Sequence, residues 1–338
     1  MRIWALMAKR VLQVIPVLLG VTVLTFAIAH SVPGDPARAI AGIYATEETV
    51  EVIRAKWGLD KPLPEQYLVY LGHLLRGDLG ASIQSRRPVA DDIMDRLPAT
   101  LELSLFALLL MVVVGIPMGM IAARWRNRLP DHVARLFVIL GGAIPSFWLA
   151  LVAQLVFFSW LGWLPFGGRT GAGIVTPETV SGLYVLDSIL TLNGTALVHS
   201  LRQLLLPGMV LALAGTTSIT RMTRASMLEV LRQDYIKAAR AKGVSGRTIV
   251  LKHAFKNAMI PTITVLGLLF GSMLGGAFVV EWIFAWPGIG TLAANSITNL
   301  DYTVIMGISI VIAIVYSIAN LLVDVSYMVL NPKVRYEK

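Results

Sequence analysis

Six long apolar segments, at residues 10–31, 99–123, 133–161, 200–222, 258–280 and 303–328, govern what this chain can become. Each reaches the ~20 residues that a helix needs to cross roughly 30 Å of hydrocarbon. Lipid offers no partner for free N–H and C=O groups, so each segment is expected as a helix and the chain as an all-α membrane protein with six transmembrane helices. Of its 338 residues, 56% are hydrophobic and 14% charged, against roughly 25% charged in a soluble domain. The first segment follows Lys9 and Arg10 and is too long for a signal peptide, and "AHSVPGDP" at its end is a poor cleavage site.

Alternation of spans fixes which loops share a side. The N-terminus, the 124–135 link, the 221–257 loop and the tail together hold nineteen of the twenty-nine basic residues and, with Asp324 near the end of the sixth span, five of the twenty acids. By the positive-inside rule that side is cytoplasmic, and both termini lie there. A net charge of +9 is thus read as topology and not as a nucleic-acid footprint, because the charges lie between apolar stretches. The chain divides into a cytoplasmic N-terminus and first helix (1–32), an extracytoplasmic helical region (33–97), a core of five helices carrying loop 221–257 (98–329), and a cytoplasmic tail (330–338). Within 33–97, "TEETVEVIRAKWGL" sets a Thr cap before Val50, Ile53 and Trp57 at helical spacing. The loop from Gly162 to His199 shows no period, so only turns and a short hairpin are expected there.

Proline lies in or at the edge of five spans, as Pro16, Pro117, Pro145, Pro207 and Pro261. Each removes a backbone donor, which suits either a kinked helix or a hinge. Gly115/Gly119 and Gly267/Gly271/Gly275 form small-residue stripes that favour close helix contact within the subunit.

Several chemistries have no residues to carry them. No Gly is followed by Lys, so there is no P-loop, and any ATP must be bound by another polypeptide. The five His are scattered without metal-ligand spacing, and with zero Cys there is no thiolate site. No serine sits in a G-x-S-x-G context. Glu102, Glu281 and Asp324 fall near span ends; an ion-coupled carrier more often places an ionisable group near the midplane.

The densest basic run is "DYIKAARAKGVSGRTIVLKHAFKNAMIP", Asp234 to Pro261. Met227, Leu231, Tyr235 and Ala238/Ala239 fall on one helical face, so the helix is expected to run unbroken from Thr220 to Lys242. Gly243 supplies a stop and Ser245 a cap, giving two short helices around a tight corner. Ala238, Ala239 and Gly243 are small enough for a partner's backbone to approach, inside a rim of Lys237, Arg240, Lys242 and Arg247. A docking surface and a loop meeting only lipid headgroups are both compatible with that composition.

The order of residues resembles a known family. "AARAKGVS" followed by "HAFKNAMIP" resembles the EAA loop of bacterial ABC importer membrane subunits, in the variant of the peptide and nickel importers. The resemblance extends through "HSVPGDP", "GDLGASIQSRRPV", "RLPATLELS", "GIPMG", "RMTRASMLEVLRQDYIKAARAKG", "EWIFAWPGIG", "DYTVIMG" and "NPKVR", and is nearest to the B-type permease of the dipeptide/oligopeptide class. Lys237 stands where the general pattern has Glu. His253 to Lys256 replace its distal I-x-L-P, and proline comes later, at Pro261.

This resemblance implies a type I importer fold in the bacterial inner membrane. Its partners would be a homologous second permease, two cytoplasmic ATPases that bind ATP and Mg, an extracytoplasmic binding protein and the surrounding lipid; the chain itself would hold no cofactor and catalyse nothing. Ala238, Ala239, Arg240, Lys242, Gly243 and Val244 would form the ATPase-coupling corner. Trp282, Phe284, Trp286, Pro287 and Gly288 would form a loop facing the binding protein, although an interfacial aromatic belt explains the tryptophans equally. Pro145, Ser146, Gln154 and Thr217 are the pathway candidates. Dipeptides, longer peptides, nickel complexes, glutathione and opines remain open as substrates. A self-sufficient carrier or channel and a membrane scaffold are the readings from other classes.

Overall fold

A computed structural model describes residues 2–31, 36–41, 45–171 and 176–330. Its helices, in chain order, are α1 (Arg2–Ser31), α2 (Pro36–Ala41), α3 (Glu47–Trp57), α4 (Leu63–Leu75), α5 (Val89–Arg124), α6 (Leu129–Ala143), α7 (Ser146–Trp160), α8 (Tyr184–Leu190), α9 (Gly194–Val230), α10 (Asp234–Ala241), α11 (Gly246–Met273), α12 (Phe278–Ile283), α13 (Ile289–Thr298) and α14 (Tyr302–Leu330). Among the described residues no strand forms, and Ala81 and Pro88 make an isolated bridge. The "NPKVR" tail and most of "HSVPGDP" lie outside the described residues.

Among the described residues, four helices are long and apolar enough to cross a membrane: α5, α9, α11 and Tyr302–Leu322 of α14. The expected third span, 133–161, is not one straight helix. Helices α6 and α7 meet that criterion only as a pair, bent by 101°. The cause is local: Pro145 lacks an amide hydrogen and disfavours helical geometry in the residue before it. Ile144 accordingly adopts φ −81° and ψ 123°. In α1 the described apolar stretch, Leu12–Ile28, is shorter than a full span.

Helix α9 is the axis of the molecule, with α5, α6, α7, α8, α11 and α12 all packed on it. Glycine permits the closest of these contacts. A Cβ on Gly119 would stand 2.7 Å from the Thr220 carbonyl oxygen and the Thr223 Cβ, so only glycine lets α5 and α9 touch backbone to backbone. Gly115 and Gly271 act alike, against Ile219 and Tyr316, which places Gly115, Gly119 and Gly271 in contacts inside the subunit. Helix α14 covers α1, α5, α11 and α13.

The apolar core is stacked along this axis. Ala123, Met227, Ile236, Ile249, Val250, Ala254 and Ala258 close the basic end, and Ala107, Met111, Ile219, Met259 and Met273 fill the middle. At the opposite end Leu103, Leu204, Leu206, Phe284 and Trp286 form a third layer.

Among the described residues between α1 and α5 stand the helices α2, α3 and α4, and α3 starts at the expected Thr cap. The Thr46 hydroxyl oxygen accepts the Thr49 N–H at 3.3 Å, Val50 is buried, and Gly58 ends α3 at φ +62°. Segment 81–88 is tied to α14 through Asp301, which accepts the Ser82 hydroxyl at 2.7 Å.

Candidate functional site

The 221–257 loop departs from the unbroken helix expected of it. Helix α9 stops at Val230, a turn over residues 231–233 resets the register, and α10 starts at Asp234. Tyr235, expected on one face with the buried Met227, is therefore exposed, and Ile236 lies inside with no exposed surface. Ile236 joins Ala123, Met227, Ile249, Val250, Ala254 and Ala258, so one side chain seats the eight-residue α10 on α5, α9 and α11. Tyr235 still anchors the helix, because the Asn257 side-chain amide donates to its hydroxyl at 2.8 Å. Neither anchor was identified from the sequence, whose register held only while the helix continued.

The corner itself is built as its residues suggest. Gly243 has φ +78°, a conformation open to glycine and strained for other residues. Its N–H reaches the Arg240 carbonyl at 2.9 Å, and the Val244 N–H reaches Ala239 at 3.2 Å, satisfying carbonyls at the helix end. The Ser245 hydroxyl oxygen then accepts the Thr248 N–H at 3.3 Å. Beyond Ser245 the chain enters the first turn of α11, where a second short helix was expected. A Cβ on Gly243 would meet nothing within 4 Å, so the space outside the corner is open. Ala238, Arg240, Lys242 and Gly243 are exposed, while Ala239 and Val244 are half-buried on the core beneath. Lys237 is paired with Asp234 at 2.8 Å on the rim.

At the opposite end the α12–α13 loop folds around Glu281, which is fully buried. Its Oε1 accepts the Thr100 hydroxyl at 2.6 Å, and its Oε2 accepts the Thr291 N–H at 3.1 Å. Thr100 in turn accepts the Ile289 N–H at 2.8 Å. Burial pushes the Glu281 carboxyl up, against the lowering effect of the Thr100 hydrogen bond. A Cβ on Gly288 would stand 2.3 Å from Oε1, so this glycine makes the room that the carboxylate fills. Trp286 is buried with its indole N–H on the Ala99 carbonyl at 2.8 Å, and Phe284 is buried beside it. The expectation that all five loop residues face a partner is therefore corrected. Phe284, Trp286 and Gly288 brace the loop from within, and only Trp282 and Pro287 are exposed.

The loop between α7 and α9 has more structure than its composition suggests. Arg169 forks onto Glu102 at 2.9 and 2.7 Å, lies 3.7 Å over the Tyr184 ring, and is almost fully buried. Burial pushes the Asp187 carboxyl up, but the Ser181 hydroxyl and the N–H groups of residues 180–182 outweigh it and hold the carboxyl below its usual range.

Two pathway candidates, Gln154 and Thr217, are buried within the subunit. Gln154 is buried, and its amide donates to the Phe166 and Ile283 carbonyls at 2.9 and 3.0 Å, so it ties loops together. Thr217 is buried between α9 and α6, bonded to the Ala214 carbonyl at 2.7 Å, with its methyl against Gly141. Pro145 and Ser146 are exposed at the α6–α7 break. An open groove of about 450 Å³ was missed: Ser218, Arg221, Met222 and Ala225 of α9 face Val265, Leu268, Leu269 and Ser272 of α11 across it. Both faces follow i, i+3, i+4, i+7 spacing, but their pairing depends on how the two helices are juxtaposed, which no one-helix pattern reveals.

Comparison with known proteins covers nearly the whole chain. Residues 115–336 match the family described as binding-protein-dependent transport system inner membrane component, and residues 3–104 match its N-terminal region. The chain is 43% identical over 334 residues to the probable D,D-dipeptide transport system permease protein DdpB of Escherichia coli (strain K12), covering 99% of this chain and 98% of that protein. It is 40% identical to the dipeptide transport system permease protein DppB of Alkalihalophilus pseudofirmus, covering 97% and 98%. The glutathione transport system permease protein GsiC of Escherichia coli (strain K12) is likewise 40% identical, over 97% and 98%.

Proposed function

Taking as premise that this chain belongs to the family of binding-protein-dependent transport system inner membrane components, we propose that it forms half of the translocation unit of an ATP-driven peptide importer. It has six spans and a small helical insertion after the first. Both termini and the 221–257 loop lie in the cytoplasm of a bacterial cell, on the side favoured by the basic residues. The chain binds no ATP: two cytoplasmic ATPase subunits hold it with Mg, a second homologous permease completes the path, and an extracytoplasmic binding protein delivers the solute.

One observation carries this reading. The Ala238–Gly243 corner is seated rigidly from beneath by Ile236 and open above, which suits a lever end that fits a groove in an ATPase. Closure of the ATPases on nucleotide would push the corner and, through α9, re-set the spans. Trp282 and Pro287 are the part of the outer loop offered to the binding protein. A peptide substrate is favoured over nickel complexes or opines by the names of the relatives.

Gly243→Asp and Ala238→Asp test the corner, because both positions are exposed and each variant sets a charge and added bulk where a partner backbone would lie. Both are expected to insert into the membrane and to abolish uptake; normal transport-coupled ATP hydrolysis in either would remove the docking role. Substrate is read separately, from which ligand raises the melting temperature of the cognate binding protein.

A further inference from the structure

Six residues before the end of α9, Arg224 reaches a carboxylate with no exposed surface, that of Asp131 in the first turn of α6. Arg224 Nε donates to Oδ1 at 2.6 Å and Nη2 to Oδ2 at 2.9 Å, a two-pronged fork. The Asn127 N–H donates to Oδ2 at 2.9 Å from the turn between α5 and α6, and Arg135 lies 3.6 Å from the same oxygen. One turn up α9, Gly119 of α5 meets the Thr220 backbone in the contact only glycine allows. The end of α5, the turn, the start of α6 and α9 are thus fastened together at residues 220–224, about 9 Å along the helix from where α9 ends.

We infer that the Asp131–Arg224 pair is the fulcrum of the lever: it holds α6 rigidly to α9, so that displacement of the corner moves both helices. This rests on the coupling role proposed above for the corner. Geometry, and not stability, assigns the pair that role. A buried ion pair adds little net stability over an apolar pair of the same size. A bidentate guanidinium–carboxylate fork, however, fixes the relative angle of the two elements it joins, which a point charge does not. Helix α6 leads within fifteen residues to the 101° break at Pro145 and Ser146. Motion delivered to α6 therefore arrives at the one place where this span is already divided. Without the fork, α9 and α6 are joined by apolar packing such as Thr217 on Gly141, which fixes their angle less firmly, and part of the work done on the corner is lost before it reaches that break.

The test uses the assembled transporter with its ATPases and binding protein in nanodiscs and liposomes. The chain has no cysteine, so spin labels are placed at Val133 and Glu229, both exposed, in α6 and at the end of α9. In the parent protein the distance between labels is expected to stay narrow and unchanged between nucleotide-free and ATP-bound states. Asp131→Asn, and Arg224→Lys, which keeps the charge but not the fork, are expected to broaden it. Substrate carried per ATP hydrolysed should fall roughly 2- to 30-fold. Both variants should still copurify with the ATPases, whereas failure of the docking reading would show as unaltered coupling in Gly243→Asp with the label distance still narrow. A narrow distance and full coupling in Arg224→Lys would overturn the inference, and so would loss of assembly in that variant, which would assign the pair to folding alone.

Discussion

Replacing Ile236 by Ala should unlock the corner without unfolding the protein. Ile236 is the sole side chain of α10 with no exposed surface. An eight-residue helix has no stability of its own in water, so its order comes from packing. Truncating a fully buried Ile to Ala costs 2–5 kcal/mol, and about 3 kcal/mol is expected here because Ala239, Val244 and the Tyr235–Asn257 hydrogen bond remain. That raises the open population of α10 about a hundredfold. Hydrogen exchange in nanodiscs reads it directly: amides of residues 234–241 should exchange about a hundredfold faster, while those in the middle of α9 keep their protection. Ile236→Val removes one methyl and should give tenfold or less. Uptake should fall along with α10 protection. Unchanged protection at 234–241, or a loss spread evenly through α9, would refute the claim that this one side chain seats the corner.

Other consequences concern the opposite end. Gly288→Ala drives a methyl to 2.3 Å from the Glu281 carboxylate, an overpacking that should cost about 1–3 kcal/mol and lower the melting temperature of the assembled complex, whereas Pro287→Ala on the exposed side should not. Trp286→Phe strands the Ala99 carbonyl and should cost about 1–3 kcal/mol, measured the same way. Because Glu281 is raised above its ordinary 4.5 in the folded protein, it binds its proton more tightly folded than unfolded. Its contribution to stability is then fully present below the ordinary value and lost as pH rises through the raised one. The melting-temperature difference between parent and Glu281→Gln should therefore change across that window, and a difference independent of pH would show that Glu281 does not titrate there.

Much of the architecture was readable because lipid leaves few choices. Long apolar runs, basic loops and the Gly-Ser corner each have a physical meaning that survives without a partner. Legibility ended where the outcome depended on two segments meeting. Tyr235 lies outside and Ile236 inside because a three-residue turn reset the helical register, and nothing in the local pattern marks that turn. Gln154 and Thr217 looked like polar residues left for a path, yet carbonyls across loops or one turn away consume their hydrogen bonds. Trp286 suited an interfacial belt and a partner-facing loop equally and proved to be core, since its burial is set by Ala99, nearly two hundred residues earlier. Asp131 and Arg224, ninety-three residues apart, each looked like one more positive-inside loop charge or its counter-ion. The break at Pro145 was half legible: the proline was conspicuous, and the 101° angle was not.

The central claim is that the corner at Ala238 to Gly243 is socketed in an ATPase. A photo-crosslinking residue placed at Ala238, and in a second version at Lys242, in the assembled complex tests it most directly, with Val180 on the opposite end as the reference position. A socketed corner predicts a crosslink from Ala238 and Lys242 to the ATPase subunit, and none to it from Val180. Crosslinks from Ala238 and Lys242 to lipid alone, in a complex that still hydrolyses ATP in step with uptake, would contradict it.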